Sequence, residues 1–572
     1  MSTPMNVPGL VTALEDLRVA LAAVQLPLEV PGSAEQRAAR TEVLGQLDDY
    51  VLPRLRQIEA PLLAVVGGST GAGKSTLVNS VVGRKVTEPG VLRPTTRSPV
   101  LAFNPVDAPW FDDARILPDL ARTTAASGDP RSLQLVPVDS VPPGLAILDA
   151  PDIDSVEVRN RTLAAQLLAA ADLWLFVTSA ARYADQVPWD FLRAAAERSA
   201  AVAIVLDRIP PGARDEVAPH LQQMLDERDL SRSPLFTVEE RPLGDDGLLL
   251  GDDVSRIRDW LEGLGADANA RAAVVRQTLD GAVRSVARRS EQVAAAHAAQ
   301  VDMRARLGAD VRNAYDEARR DVADASADGS LLRGEVLARW QEFVGTGELL
   351  RSLESRVGWM RDRIGAWFKG KPQQAERVTA AVESGLESLL IEHAEAAAER
   401  TWRSWSSLEA GKRLLESGDR DLGRASRDLR GEAERTVREW QRGVLEMVRT
   451  EGADRRTTAR FLAFGVNGLS VALMVVVFAH TAGVTGAEAG IAGGSAVLGQ
   501  KLLEAVFGDQ AVRRLSEHAR EELEVRVGAL YAAESDRYLD VLDGLRLDSS
   551  DTDALRSAAH GVEELAGPGV AG

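Results

Sequence analysis

The chain has 572 residues, which leaves room for three or four domains at about 100–200 residues each. It carries 85 acidic against 67 basic residues, a formal net charge of -18. This excess argues against a nucleic-acid partner, because neutralising phosphates requires clustered cations. There is no cysteine, so disulfides, Cys-ligated zinc and thiol nucleophiles are excluded, and the six histidines show no metal-binding spacing. No secretory signal is visible, so we expect the chain to stay on the cytoplasmic side of any membrane it meets.

The first half of the chain changes from helical to alternating patterns. Residues 1–60 show the helical spacing of Leu and Val and predict N-terminal helices. Residues 61–66 are then a short continuous apolar run, typical of a strand buried on both faces. Similar runs follow at 145–148, 173–177 and 202–206. Because helical segments separate most of these runs, we predict an α/β domain with a mostly parallel sheet over 61–262.

The strand patterns disappear after residue 262. Residues 263–460 are rich in Ala, Arg and Glu and predict a long α-helical bundle or stalk. A group of aromatic residues in this part indicates either core packing between helices or an amphipathic segment at a lipid surface, and we favour core packing. The group consists of Trp340, Phe343, Trp359, Trp367 and Phe368.

Residues 461–508 are apolar in a way that no other part of the chain is. Between 461 and 500, Glu488 is the only charged residue. As a helix, residues 461–479 would be about 28 Å long, close to the thickness of a bilayer core. We therefore predict a hydrophobic membrane hairpin with a transmembrane helix, and the alternative is a helix pair buried in a soluble bundle. Residues 509–572 return to a charged pattern and predict a C-terminal helix that rejoins the bundle, followed by a flexible tail.

A phosphate-binding motif follows the first predicted strand. Residues 68–75, which we call the P-loop, read GSTGAGKS and match GxxxxGK[ST]. The glycines let successive backbone N–H groups point at phosphate oxygens, and the helix that follows adds its positive dipole end. Lys74 would reach the β- and γ-phosphates, and the Ser75 hydroxyl would bind Mg²⁺. The predicted nucleotide contacts in this stretch are Gly68, Ser69, Thr70, Gly71, Ala72, Gly73, Lys74, Ser75 and Thr76.

Two further features lie where a nucleotide site needs them. Asp149 ends the apolar run at 145–148, the position expected of a residue that holds Mg²⁺ through water. Between the two motifs, the Pro-rich stretch 91–99 contains Thr95 and Thr96. One of these threonines would bind Mg²⁺ and order the loop around a γ-phosphate, unless this is an ordinary Pro-rich loop.

Together, these motifs resemble the dynamin-like branch of large bacterial GTPases. The likeness covers an N-terminal helical stretch, GKST followed by LVNSVVG, a PTTRSP loop, a DxPx element, long helices and an apolar segment. It implies GTP as substrate, Mg²⁺ as cofactor, Lys74 and Thr96 as catalytic residues, and Ser75, Thr96 and Asp149 as metal-binding residues. It also implies self-association through GTPase heads, with a paired homologue in some members, and fusion, fission or stabilisation of lipid membranes at the cytoplasmic side of the cell membrane.

Three positions depart from the family pattern. Asp152 stands where the DxPG motif has glycine, whose backbone N–H approaches the γ-phosphate, so this departure bears on switching between nucleotide states. Gly71 stands where dynamins often carry a polar catalytic side chain, so we expect slow hydrolysis. The base-reading [NT]KxD motif is replaced by residues 207–210, DRIP, in which Asp207 and Arg208 are the predicted nucleotide contacts. The missing guanine-reading aspartate leaves a P-loop ATPase as one alternative. The other is a nucleotide-switched scaffold that the hairpin anchors to a membrane without remodelling it.

Overall fold

The computed structural model describes most of the chain in two compact units. The first, which we call the sheet unit, consists of Met1–Leu26, Gly32–Ala298 and Asp548–Gly572. The second, the helical unit, consists of Pro27–Pro31 and Ala299–Leu547. The boundaries predicted near 60, 262, 460 and 508 remain a proposal. The described residues are 7–88, 98–112, 116–117, 120–125, 129, 131–153, 158–197, 201–228, 230–249, 252–327, 330–332, 335–344, 372–418, 421–453, 465–479, 499–504 and 506–566.

The sheet unit is built on a mixed, mostly parallel sheet of eight strands. The strand order is β3-β4-β2-β5-β1-β6-β7-β8, and only the β2–β5 pair is antiparallel. All four predicted strands are present, as β1, β5, β6 and β7, which confirms the predicted α/β sheet. The strands are β1 Leu62–Gly68, β2 Val100–Phe103, β3 Ala121–Thr123, β4 Ser132–Pro137, β5 Leu145–Asp149, β6 Leu173–Ser179, β7 Ala201–Ile209 and β8 Leu235–Glu239.

Helices cover both faces of this sheet. Alternate residues of β1 point to opposite sides: Leu62 and Ala64 join one apolar cluster, and Leu63 and Val65 join the other. A strand buried on both faces needs apolar residues at every position, which explains the continuous run in the sequence. The helices of this unit are α1 Val7–Ala23, α2 Ser33–Gln46, a π-helical turn Leu47–Val51, α3 Leu52–Arg56, α4 Lys74–Val82, a 3₁₀ turn Pro105–Asp107, α5 Ala108–Asp112, α6 Val158–Ala169, α7 Gln186–Glu197, α8 Arg214–Asp226, α9 Asp252–Ala266, the beginning of α10 Ala268–Ala327, and α17 Ser549–Ala566.

A buried charge network holds the N-terminal helices against the sheet. Arg54 Nε lies 2.9 Å from Asp172 Oδ1, and both side chains are almost completely buried. The Tyr50 hydroxyl donates to the same carboxylate at 3.1 Å, and the backbone N–H of Leu63 donates to its other oxygen at 2.9 Å. Burial raises the pKa of Tyr50 well above its ordinary value. The N-terminal helices therefore belong structurally to the sheet, with a fixed contact at the amino end of β6.

The helical unit packs long helices around one apolar core. Its largest buried side chains include Trp340, Trp405 and Trp440. Trp340 and Phe343 lie in this core, which confirms core packing for those two, while Trp359, Trp367 and Phe368 lie outside the described residues. The helices are the remainder of α10, a 3₁₀ turn Ser330–Leu332, α11 Glu335–Val344, α12 Pro372–Ser406, α13 Glu409–Ser417, α14 Leu429–Ala453, α15 Val466–Ala479 and α16 Asp509–Asp543.

The predicted membrane hairpin is not supported where the structure describes it. Helix α15, of 14 residues, packs inside the helical unit, and its residues from Leu469 to Phe478 are buried against α12, α14 and α16. This is the alternative arrangement, an apolar helix covered by a bundle. Among the described residues, no helix is both long enough and apolar enough to span a membrane. In the second half of the predicted hairpin, residues 480–498, including Glu488, lie outside the described residues. Near its end, Leu503, Val506 and Phe507 are buried in the same apolar core.

We expect the substitution Val475→Asp to destabilise the helical unit strongly. Val475 is 1% exposed in the bundle core, so the new carboxylate would be buried without a partner, at a cost above about 3 kcal/mol. Thermal unfolding followed by circular dichroism measures the change. The matched control is Val525→Asp on α16, where the native side chain is 72% exposed and the expected change is within about 0.5 kcal/mol. Equal melting temperatures for the two variants would contradict the burial of α15.

Candidate nucleotide-binding site

The P-loop connects β1 to α4 in the middle of the sheet, at the carboxyl edge of the parallel strands. Two of its glycines lie where a side chain has no room. At Gly68 an added Cβ would overlap the carbonyl oxygen of Val177 on β6, and at Gly73 it would overlap the Asp207 carboxylate at the end of β7. Both glycines have positive φ, 151° and 94°. The motif therefore needs glycine here for close packing as well as for its turn.

Lys74 is the first residue of α4, and its side chain folds back into the P-loop. Its ammonium donates to the carbonyl oxygens of Gly68 at 2.9 Å and Ser69 at 3.0 Å. Its third contact is an ion pair with the carboxylate of Asp152. An ammonium has three donors, so these acceptors use all of them. The Lys74 side chain is 5% exposed and that of Asp152 is 19% exposed, so the pair is largely shielded from water.

Asp149, at the end of β5, accepts hydrogen bonds from two hydroxyl groups. Ser75 Oγ donates to Asp149 Oδ2 at 2.7 Å, and Thr87 Oγ1 donates to the same oxygen at 2.9 Å. Asn79 on α4 fixes Thr87, because its side-chain oxygen accepts from the backbone N–H of Thr87 and its amide donates to the Thr87 carbonyl. Burial raises the pKa of Asp149, while the Ser75 hydrogen bond and the Lys74 charge act in the opposite direction.

The residues around Asp149 fit a magnesium ion. Its second oxygen, Oδ1, is buried and has no hydrogen-bond partner among the described residues. An unsatisfied buried carboxylate oxygen is costly, and a cation at that position would satisfy it. A carboxylate beside the hydroxyls of Ser75 and Thr87 is a set of hard oxygen donors, which Mg²⁺ prefers, and Mg²⁺ commonly takes only one or two carboxylates together with substrate phosphates.

The end of β7 lies beside the P-loop. Asp207 is 3% exposed and touches Gly73, and burial raises its pKa to about 6. A bulge interrupts the β7–β8 pairing between Leu206 and Ile209. Arg208 sits in this bulge with φ of 53° and is exposed. Bulges re-aim a side chain. Here Asp207 braces the P-loop, and the exposed Arg208 side chain lies beside it, with Nε 4.0 Å from where a Cβ on Gly73 would be.

The structure brings most of the predicted site residues together at one edge. The P-loop, Asp149 and Asp207 lie at the carboxyl ends of β1, β5 and β7, because the register pairs Val66 with Asp149 and Ser179 with Asp207. The carbonyl of Thr70 accepts from Arg182, a contact that the sequence did not suggest. Ser69 is fully buried, and its hydroxyl has no hydrogen-bond partner among the described residues. Thr96 and Thr95 lie outside the described residues.

Three residues of the site were not predicted. In the sequence, Asp152 stood out only because it replaces the glycine of the DxPG motif, whereas in the structure it pairs with Lys74. Thr87 and Asn79 were not singled out at all. A polar Asn within the otherwise apolar LVNSVV segment was the available signal, since a buried amide requires partners. Nothing in the sequence around Thr87 indicates its contact with Asp149.

No protein-family model matches this chain, and no curated protein matches it. Solved structures do match. The chain resembles bacterial dynamin-like GTPases. Two structures of an oligomerised bacterial dynamin pair, described as a mechanism for long-range sensing and tethering of membranes, have TM-scores of 0.42 and 0.45 at 10% and 9% identity. The first match spans 97% of this chain and 94% of that chain, and the second spans 99% and 96%.

Two more distant structures also match. The bacterial dynamin GTPase LeoA from ETEC has a TM-score of 0.23 and 12% identity, with 97% of this chain and 98% of that chain covered. An Era variant from Aquifex aeolicus bound to GDP·AlF4⁻ has a TM-score of 0.24 and 20% identity, with 36% of this chain and 56% of that chain covered. All four TM-scores are below 0.5, so these likenesses carry no argument about function, which must be inferred from the site.

We expect Asp152→Asn to bind nucleoside triphosphates about tenfold more tightly than the wild type. The γ-phosphate needs the Lys74 ammonium, and the native Asp152 carboxylate occupies it, so removing that charge removes a competitor worth roughly 1.4 kcal/mol. Titration with fluorescent GTP and ATP analogues measures the change. Asp226→Asn, at the end of α8, is the control and is expected to bind as the wild type does. Unchanged or weaker binding by Asp152→Asn would show that the carboxylate does not compete with phosphate.

Proposed function

We propose that the chain is a dynamin-like GTPase that binds GTP with Mg²⁺ at the carboxyl edge of its sheet and hydrolyses it slowly. The observation that carries this proposal is the position of Lys74. Its ammonium is held inside the P-loop by two backbone carbonyls and is neutralised by one carboxylate that a phosphate can replace. A buried lysine arranged in this way serves to hold an anion.

Each residue of the site has a proposed role. Backbone N–H groups of residues 68–76 surround the phosphates, and Lys74 contacts the β- and γ-phosphates. Ser75 and Asp149 hold the magnesium ion, which supplies positive charge to the phosphates when bound. Thr96 remains the proposed switch threonine and a further metal-binding residue. Arg208 packs on the base, and Asp207 supports the P-loop beneath it.

Hydrolysis is an in-line attack of water on the γ-phosphorus, which breaks the bond to the β–γ bridging oxygen. Negative charge develops on that bridging oxygen and on the β-phosphate, where Lys74 offsets it. Gly71 contributes no side chain that would orient the water. A slow rate in the isolated chain follows, and a second head that supplies a polar group would raise it.

At the level of the whole protein, we propose that nucleotide binding pairs two sheet units. The free-energy difference between nucleotide states then acts on membrane lipid at the cytoplasmic side of the cell membrane, with fusion, fission or stabilisation as the outcome. A second copy of the chain or a paired homologue is the partner. The apolar segment 461–508 is the proposed lipid contact, and contact with lipid requires its buried residues, from Leu469 to Phe478, to leave the bundle core.

Two specific observations favour rival functions. The burial of α15 favours a scaffold that recruits partners without remodelling membranes. Pro210, at the position of the usual guanine-reading aspartate, favours a P-loop ATPase, because proline offers no side-chain acceptor to a guanine base.

Lys74→Ala is expected to reduce GTP affinity at least 100-fold and to abolish hydrolysis. The variant lacks the only cation inside the P-loop among the described residues, and hydrogen bonds to charged groups contribute about 1.5–3 kcal/mol each. Isothermal titration and phosphate release measure the two effects with Mg²⁺ present. Lys412→Ala, on α13, is the matched control and should leave both unchanged. Equal GTP turnover by Lys74→Ala and wild type would exclude the P-loop as the catalytic site.

Membrane binding is expected to depend on the nucleotide. Flotation with vesicles of phosphatidylglycerol and phosphatidylethanolamine should recover more protein with a non-hydrolysable GTP analogue than without nucleotide. Lys74→Ala should float equally under both conditions, because it cannot take up the analogue. Absence of flotation under every condition would contradict the membrane proposal and leave the GTPase proposal standing. Flotation without lipid mixing or vesicle tubulation would instead support the scaffold.

A further inference from the structure

The site lacks a side chain that would distinguish guanine from adenine at the expected position. Guanine presents two donors on one edge, N1–H and the 2-amino group, whereas adenine presents an acceptor at N1 and only a carbon-bound hydrogen at C2. A carboxylate matches the two guanine donors and no part of that adenine edge. In the segment 207–210, the position usually held by such a carboxylate is Pro210. A guanine-selective site therefore needs a carboxylate from another element.

The neighbouring strand places one there. The segment after β7 begins beside the P-loop, because Asp207 touches Gly73. Strand β8 lies parallel to β7, with Ile209 paired with Glu239. Glu240 follows directly, and its backbone N–H donates to the Ile209 carbonyl at 2.8 Å. Glu240 therefore lies about one strand spacing, roughly 4.8 Å, from the backbone that carries Arg208.

Within the described part of the chain, three neighbouring carboxylates are engaged in ion pairs, whereas Glu240 is not. Glu239 pairs with Arg241 at 2.9 Å, Asp253 pairs with Arg214 at 2.6 Å, and Asp185 pairs with Arg182 at 2.8 Å. Glu240 is exposed and makes no ion pair or side-chain hydrogen bond among the residues that the structure describes. Its charge nevertheless reaches the site. After burial, which is the main cause, the Glu240 charge also raises the pKa of Asp207, against the opposing effect of Arg208.

We propose that Glu240 is the specificity-determining residue of this site and that its carboxylate accepts hydrogen bonds from N1–H and the 2-amino group of guanine. Arg208, which is exposed beside the P-loop, stacks on the face of the same base. The ends of β7 and β8 would thus recognise the base together, whereas in the usual motif one loop does so. This inference rests on the proposed function, since it requires a nucleoside triphosphate in the P-loop.

The experiment compares four nucleotides on the full chain. GTP, ATP, ITP and XTP compete with a fluorescent GTP analogue for wild type, Glu240→Gln, the control Glu262→Gln on α9, and Lys74→Ala. ITP lacks the 2-amino group, and XTP carries an oxygen in its place. In the wild type we expect GTP to bind about 10–100-fold more tightly than ITP or ATP. In Glu240→Gln, GTP affinity falls by a similar factor, GTP and ITP bind alike, ATP is unchanged, and XTP binds more tightly because the amide donates to its C2 oxygen.

The outcomes separate the inference from the function on which it rests. A gain in XTP affinity cannot come from misfolding, so that result supports Glu240 even if the variant is less stable. If Glu240→Gln keeps the wild-type preference, or if the wild type binds GTP and ATP equally, the inference is overturned while nucleotide binding stands. If no triphosphate binds the wild type, or if Lys74→Ala binds as the wild type does, the proposed function fails and the inference falls with it. Glu262→Gln should match the wild type throughout.

Discussion

The candidate site depends on how one buried ammonium is neutralised. Lys74 is almost completely enclosed, and an isolated charge in such a place is strongly unfavourable. Two P-loop carbonyls accept from two of its donors, and the Asp152 carboxylate pairs directly with its charge. This requirement ties the end of β5 to the start of α4. A phosphate that takes over the ammonium releases Asp152, so the segment after β5 is the part of the sheet unit on which ligand charge acts directly.

The second constraint is the buried carboxylate of Asp149. Its Oδ2 holds Ser75 from one side and Thr87 from the other, and Asn79 fixes the backbone of Thr87. The chain that leaves α4 is therefore anchored at the site before it enters the segment containing Thr95 and Thr96. A cation at Oδ1 would compete with these hydroxyls for the same carboxylate charge. A phosphate would thus displace Asp152 from Lys74, and a metal ion would compete with the two hydroxyl groups for Asp149. Both carboxylates are already engaged by protein groups.

The sequence was sufficient for features that depend on local pattern. Continuous apolar runs identified β1, β5, β6 and β7, and the spacing of glycines with Lys74 identified the phosphate site. Strands β3, β4 and β8 were not predicted, since polar residues interrupt their apolar positions. Strand β2 was missed although its four residues are all apolar and buried, because so short a run follows directly on a Pro-rich stretch. The contacts of Asp152, Thr87 and Glu240 were beyond reach for another reason. Each joins residues that are distant in sequence, and strand order and register, which a single sequence does not specify, bring them together.

The environment of the apolar stretch before residue 480 could not be predicted from the sequence either. A helix inside a large bundle and a helix inside lipid both need apolar residues on all sides, so composition alone does not distinguish them. In the helical unit, α15 is surrounded by α12, α14 and α16, and Phe478 packs against Trp440 with ring centroids 5.4 Å apart. Exposing this helix to lipid would break these contacts, and lipid would replace the lost apolar surroundings but not the fitted packing. Any membrane contact by α15 therefore requires an opening of the bundle that nucleotide energy, or the lipid itself, must drive.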